Sequence, residues 1–259
     1  MQRDWRRLLM KIKIKKDREY FKHKNYAHRG LHDIKNGIPE NSLPAFEAAV
    51  ANGYGVELDV QLSKDGQVVV FHDVELERAC GVKGSVGDYD YEEIKTFRLF
   101  GTDERIPLFS EVLRILEKGP SDLVCELKPR FKIGELCTKT LALLREFKGR
   151  FCVESFDPRI TRWFGKKAPD VVRGLLAQTR DAYDHIPDFV KGFLSNCSLA
   201  GYCKPDFIAY ENKDRPVKVL EKCKEKGIML VGWTSRIPDI DQQQNDAVIF
   251  EGYRPSPTY

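Results

Sequence analysis

Between Glu57 and Asp73 the chain carries a run that can put two carboxylates and an imidazole on one surface. Two stretches of strand-forming residues flank Asp65-Gly66, a dipeptide that favours a tight antiparallel turn. With those two residues as the loop, Lys64 faces Gln67 and Asp59 faces His72, side chains on the same face of the ribbon. Glu57, two residues from Asp59, shares that face. Two carboxylates and a histidine converging through local pairing are the start of a metal-assisted acid/base site. A surface ion pair on a solvated ribbon would show the same spacing. Here, however, Val56, Leu58 and Val60 make the opposite face apolar, so a core lies behind it. A parallel barrel reconciles the two faces, because its strand ends open onto a site while its outer face packs on helices.

Two further clusters carry chemistry-bearing residues. Asn25 to Gly30 reads as a short strand ending in His28-Arg29, with glycine to turn the chain. An arginine fork suits phosphate oxygens, and histidine exchanges protons near neutral pH. Pro39-Glu40-Asn41-Ser42 then leads into a helix from Leu43 to Ala51, whose apolar residues recur at helical spacing and which Asn41 or Ser42 can cap. Downstream, Asp122 to Leu127 is a strand with Glu126 and Lys128 on one face and Cys125 and Leu127 on the other, stopped by Pro129. A Glu and a Lys at a strand's C-terminal end hold the usual position for barrel chemistry.

These motifs, His28-Arg29-Gly30, Pro39 to Ser42, Glu57 to Val60, the Lys64-Asp65-Gly66 turn, His72-Asp73 and Glu126-Leu127-Lys128, resemble in order and spacing those of the glycerophosphodiester phosphodiesterase family. Ser155-Phe156-Asp157 and Gly232-Trp233-Thr234 resemble that family's later strand ends, so the likeness covers nearly the whole chain after residue 24. The chain departs from the family at Ser42, usually Thr, at Ser235-Arg236, and at Phe250 to Pro255.

The rest of the sequence supplies the elements that would position these groups. A chain of 259 residues, 42% hydrophobic, suits one α/β domain, a TIM (β/α)8 barrel. Strands are expected at 25–28, 55–61, 67–72, 122–127, 151–156, 171–177, 206–210, 228–233 and 246–250. That is one more than a barrel holds, but 67–72 runs antiparallel to its neighbour and need not be a stave. Residues 74–105, rich in glycine, break the βα rhythm. They read as a small lobe inserted after the hairpin, where substrate selection would sit, and Arg78 resembles the family's usual arginine there.

Residues 1–24 hold ten Lys or Arg against three acids, so the domain from residue 25 to 259 is slightly acidic. Apolar residues such as Trp5, Leu8, Leu9 and Ile12 interleave with the charges. The segment is expected to be a solvated basic arm or a piece packed on the barrel's base, the alternative being an amphipathic contact with an anionic membrane surface. Nucleic-acid binding would need basic character spread over a folded face with stacking aromatics, which is not seen. No apolar run approaches the ~20 residues of a membrane span. Seven cysteines without a Cys-x-x-Cys pair suit reduced thiols in a cytoplasmic protein rather than disulfides or zinc.

Glu57, Asp59 and Glu126 are three hard oxygen donors, suited to Mg²⁺, Ca²⁺ or Mn²⁺, and the family's metal ligands fall on these positions. The resemblance implies that Arg29 and Lys128 hold the remaining phosphate oxygens, that Trp233 lines the pocket against the glycerol, and that His28 and His72 divide the proton work. His72 is the expected base, oriented by Asp59, and His28 the acid, with the reverse assignment open. Either water or the substrate's own 2-hydroxyl would be the nucleophile. The implied reaction releases glycerol 3-phosphate from a glycerophosphodiester, the alternative being a lysophospholipase-D-like enzyme acting on acylated substrates.

Overall fold

In the computed structural model, which describes residues 17–130, 132–183, 187–212, 218–237 and 240–259, eight parallel strands close into a barrel. They are β1 (Asn25–Ala27), β2 (Gly55–Leu62), β4 (Leu123–Leu127), β5 (Phe151–Ser155), β6 (Val172–Ala177), β7 (Phe207–Glu211), β8 (Met229–Ser235) and β9 (Ala247–Phe250). Closure comes from β1, which pairs with both β2 and β9. The ninth strand, β3 (Val68–Val70), runs antiparallel along β2 outside the ring. The principal helices are α1 (Leu43–Ala51), α2 (Phe109–Leu116), α3 (Ile133–Glu146), α4 (Pro158–Lys167), α5 (Asp188–Ser195), α6 (Lys218–Glu225) and α7 (Ile240–Gln244). This is the expected TIM barrel.

Strand alternation separates two cores. Outward Val56, Leu58, Val60, Cys125 and Leu127 pack under Phe46, Phe109 and Leu136 of the helices. Inward Val124, Cys152, Val172, Phe207, Met229, Val231 and Ile249 fill the barrel itself, as a closed eight-stranded ring requires. The fit is tight at Gly174, where an added Cβ would come within 2.1 Å of the Phe207 ring. Phe21 plugs this interior core. Around it Tyr20 and Lys24 bind Asp122 just before β4, and Arg18 donates to the Gly227 carbonyl just before β8. Residues 17–24 therefore lie on the barrel's base, at the opposite end from the strand C-termini. Residues 1–16, with the amphipathic pattern around Trp5 to Ile12, fall outside the described residues.

Two local expectations are corrected. The β2–β3 register pairs Val60 with Val70 and Leu62 with Val68, and Ser63 N donates to Gln67 O. The loop is therefore Lys64-Asp65-Gly66, three residues rather than two. Gly66 takes a left-handed φ of 79°, and its N–H closes the turn on Ser63 O at 2.9 Å. A type I turn followed by a left-handed glycine is the usual three-residue hairpin connection. Asp59 consequently faces Phe71, whose N–H donates to Asp59 O, and His72 lies one residue beyond it. Nor does a side chain cap α1: Ser42 Oγ donates back to Pro39 O, and Asn41 is used elsewhere.

Between β3 and α2 the chain forms short helical turns, Glu77–Cys80 and Tyr91–Ile94, around a separate apolar cluster of Val69, Phe71, Leu76, Val86, Ile94 and Ile106.

Candidate active site

The inward side chains at the strand C-termini are polar on one half of the ring. The register aligns Asp59 with Glu126 and Glu126 with Glu154, so three adjacent staves deliver three carboxylates at one level. Glu57 sits one pleat lower on β2. The three residues expected to bind metal, Glu57, Asp59 and Glu126, are all buried, and each has a carboxylate oxygen within 4.8 Å of the others'. Burying such a group without counter-charge is costly. Lys128 Nζ lies 2.9 Å from Glu126 and 3.3 Å from Asp59, and Arg29 Nε lies 3.6 Å from Asp59.

The turn after β1 builds the opposite wall. Arg29 and Gly30 both have positive φ, 52° and 78°. That conformation is costly for arginine, but it aims the Arg29 N–H at Glu57 Oε2, 3.1 Å away. Asn41, also left-handed at φ 55°, donates to Asp59 Oδ2 at 2.8 Å. Glu40 accepts from Arg29 at 2.7 Å and from Arg78 of the lobe at 2.7 Å. The Pro39-to-Ser42 motif thus ties the β1 turn, the lobe and β2 together.

His28 and His72 flank the carboxylates in matching arrangements. The Nδ1–H of His28 donates to Glu251 at 2.8 Å, and that of His72 to Asp73 at 2.7 Å. Asp73, not Asp59, is therefore the group that orients His72, and Arg78 holds Asp73 from the other side at 2.6 Å. Each ring is left with Nε2 for chemistry. The Nε2 of His28 lies 3.9 Å from Glu57. Trp233, half-buried at the end of β8, meets Phe156 edge-on with ring centroids 5.6 Å apart.

The charges are strongly coupled. Burial pushes Glu126 up to about 7, with Lys128 opposing and Asp59 adding to the shift. Burial also raises Glu57, and the neighbouring Asp59 and Glu126 reinforce it. Burial raises Glu154 well above the carboxylate range as well, with Glu126 and Asp59 adding to it. Asp59 goes the other way: burial opposes its ionisation, but Lys128, His72 and Arg29 together hold it well below its usual range. Burial lowers His28 against the pull of Glu251, while the hydrogen bond from His28 takes Glu251 down to about 2.

All eight residues singled out from the sequence stand at this end of the barrel. Sequence reasoning named Asp73, Glu40 and Asn41 within the motifs but gave the first two no role and Asn41 only that of a helix cap, and it met Glu251 only in the stretch that departs from the family. Glu251 carried a usable signal, a charged residue directly after a barrel strand.

Residues 28–249 match the model of the glycerophosphoryl diester phosphodiesterase family, and the chain belongs to that family. A glycerophosphodiester phosphodiesterase of Bacillus altitudinis is 35% identical over 198 residues, 70% of this chain and 78% of that one. Another, of Caldanaerobacter subterraneus, is 33% identical over 220 residues, 80% of this chain and 84% of that one. An Oleispira antarctica phosphodiesterase, solved with the product sn-glycerol-3-phosphate, shares the fold with a TM-score of 0.73 at 22% identity, covering 90% of this chain and 94% of that one.

Proposed function

We propose that this chain hydrolyses glycerophosphodiesters to glycerol 3-phosphate and an alcohol, using a divalent cation and the pair His28 and His72. The observation that carries this reading is the buried trio Glu57, Asp59 and Glu126, with oxygens within 4.8 Å of one another, set between two carboxylate-oriented histidines. Charge balance supports a cation there. Four buried carboxylates, Glu57, Asp59, Glu126 and Glu154, are answered by Arg29 and Lys128, two charges short when all are ionised. Glu154 Oε2 is moreover buried without a hydrogen-bond partner among the described residues. All-oxygen donors suit Mg²⁺, Ca²⁺ or Mn²⁺. When bound, the ion would supply charge neutralisation at a phosphate oxygen.

The chain's own groups do the rest. Arg29 and Lys128 bind and orient the phosphate. His28 and His72, each bound to a carboxylate through Nδ1, keep Nε2 for proton exchange, one to take the proton of the nucleophile and the other to return one to the leaving alkoxide. Because Glu251 and Asp73 orient them alike, the assignment belongs to the pH profiles of the single variants. Trp233 and Phe156 form an apolar wall suited to the carbon edge of the glycerol. The lobe over residues 74–105, anchored through Arg78, frames the entrance.

The test is release of glycerol 3-phosphate from glycerophosphocholine with Mg²⁺, Ca²⁺ or EDTA, beside choline release from lysophosphatidylcholine. Metal-dependent turnover of the soluble diester is the expected result. Preference for the acylated substrate would transfer the same chemistry to a lysophospholipase D, and silence on both would remove the substrate class.

A further inference from the structure

A cavity of about 240 Å³ opens between the hairpin tip, the lobe and the segment joining β4 to α3. Its inner end belongs to the candidate site. Lys128 lines it, as does Gln61, whose Nε2 donates to the carbonyls of Phe71 and Asp73 on either side of His72. Its outer part is basic. Lys64, Arg130 and Lys132 line it, and Asp88 is the one acid among its lining residues. Arg130 binds that carboxylate at 3.0 Å. Lys132 has Glu135 only at 3.7 Å, and among the described residues Lys64 has no salt bridge. Three cations from two separate segments, the hairpin tip and the β4–α3 connection, therefore converge on a pocket that holds one carboxylate, and the pocket leads directly to the proposed phosphate-binding lysine.

We propose, on the diesterase reading above, that this cavity takes an anionic group carried by the leaving alcohol of the substrate, so that the preferred diesters are those whose alcohol bears a second negative charge. The glycerol half of a glycerophosphodiester is uncharged, so a second anion in the substrate can only belong to the other alcohol. A phosphate monoester or carboxylate there would meet Lys64 and Lys132 while the scissile phosphate remains with Arg29 and Lys128. A quaternary ammonium such as choline would meet the same cations as like charges, and clefts lined by one sign of charge discriminate through that field.

The experiment compares kcat/KM for glycerophosphoglycerol and its terminally phosphorylated form, with glycerophosphocholine alongside, in the metal-supplemented enzyme at low and high salt. The phosphorylated diester is expected to lead by roughly tenfold, the combined size of a few partly exposed charge pairs, and to lose much of that lead as salt screens them. Lys64→Ala with Lys132→Ala should bring the two substrates near parity while leaving glycerophosphoglycerol turnover unchanged, which also reports an intact fold. Equal kcat/KM in the unmodified enzyme, or a preference that survives the double variant, overturns the proposal. A response of the neutral diester to added inorganic phosphate that depends on the two lysines, without any preference between diesters, would make this a free-anion site and overturn it too. Failure to hydrolyse any of the three diesters would instead remove the diesterase reading and the proposal with it.

Discussion

Glu154 is 2% exposed, shares its level of the barrel with Asp59 and Glu126, and has an oxygen without a hydrogen-bond partner among the described residues. A charge so placed is tolerated where something positive is expected nearby. It is not one of the three residues whose oxygens cluster within 4.8 Å, so it would act on a bound ion from one layer out. Glu154→Gln keeps the shape and removes the carboxyl that a bound cation would draw into its ionised form. Divalent-ion affinity, read by calorimetry, should fall roughly 10–100-fold, as outer-shell changes do, with thermal stability of the metal-free protein unchanged or improved. Unaltered affinity would make Glu154 a bystander. Asp73 and Glu251 act differently, since each holds a histidine by Nδ1 at 2.7–2.8 Å. Asp73→Asn and Glu251→Gln exchange a carboxylate for an amide that no longer fixes the productive tautomer. Each should lower kcat by about tenfold or more with KM nearly constant, the mark of an interaction made in the transition state. A rise in KM alone would assign them to substrate binding.

At the scale of elements, the ordered pieces were legible because burial wrote them twice. A stave must be apolar outward for the helices and apolar inward at its base, so strands such as 206–210 and 228–233 stand out as near-continuous hydrophobic runs, matching β7 and β8. Polar residues interrupting or ending the runs of β2 and β4, Glu57, Asp59, Glu126 and Lys128, then mark the mouth. The hairpin register was not legible to the residue. Asp65-Gly66 serves a two-residue turn as well as the end of a three-residue one, and what decides is that Ser63 both closes the turn and pairs with Gln67. Glu251 and Asn41 act across the fold, at sequence separations of 223 and 18 from their partners, and no local pattern carries such information. The observed loop makes its own prediction. Gly66→Ala forces a side chain to φ 79°, a conformation costing about 1–2 kcal/mol for an L-residue. The melting temperature should drop by several degrees. No change would mean that the turn relaxes to another geometry.

For the molecule as a whole, the base and the mouth of the barrel have opposite tasks. At the base, Phe21, Tyr20 and Lys24 seal the interior core with apolar contact and paired charge. At the mouth, acids are concentrated beyond what the local cations answer, and stability there is exchanged for the capacity to hold an ion. The consequence is a pH dependence of definite sign. Burial raises Glu57 and Glu154 and takes Glu126 up to about 7, so between roughly pH 4.5 and the folded-state values the folded protein binds more protons than the unfolded chain. Stability must then fall as pH rises through that window. Asp59 and Glu251 are lowered and contribute with the opposite sign below about pH 4, where their unfolded forms titrate; His28, lowered by burial, also opposes just below its ordinary 6.5, one group against three acids. The metal-free protein should therefore lose melting temperature from about pH 5 to pH 8. A divalent cation, which binds the deprotonated acids, should restore it, with an increment that grows over the same interval. Calorimetric melts at pH 5, 6.5 and 8, with EDTA or with saturating Mg²⁺ or Ca²⁺, measure both slopes. If the metal-free melting temperature were flat across this range and the metal increment independent of pH, the buried acids would not be the coupled, proton-binding cluster that their geometry implies.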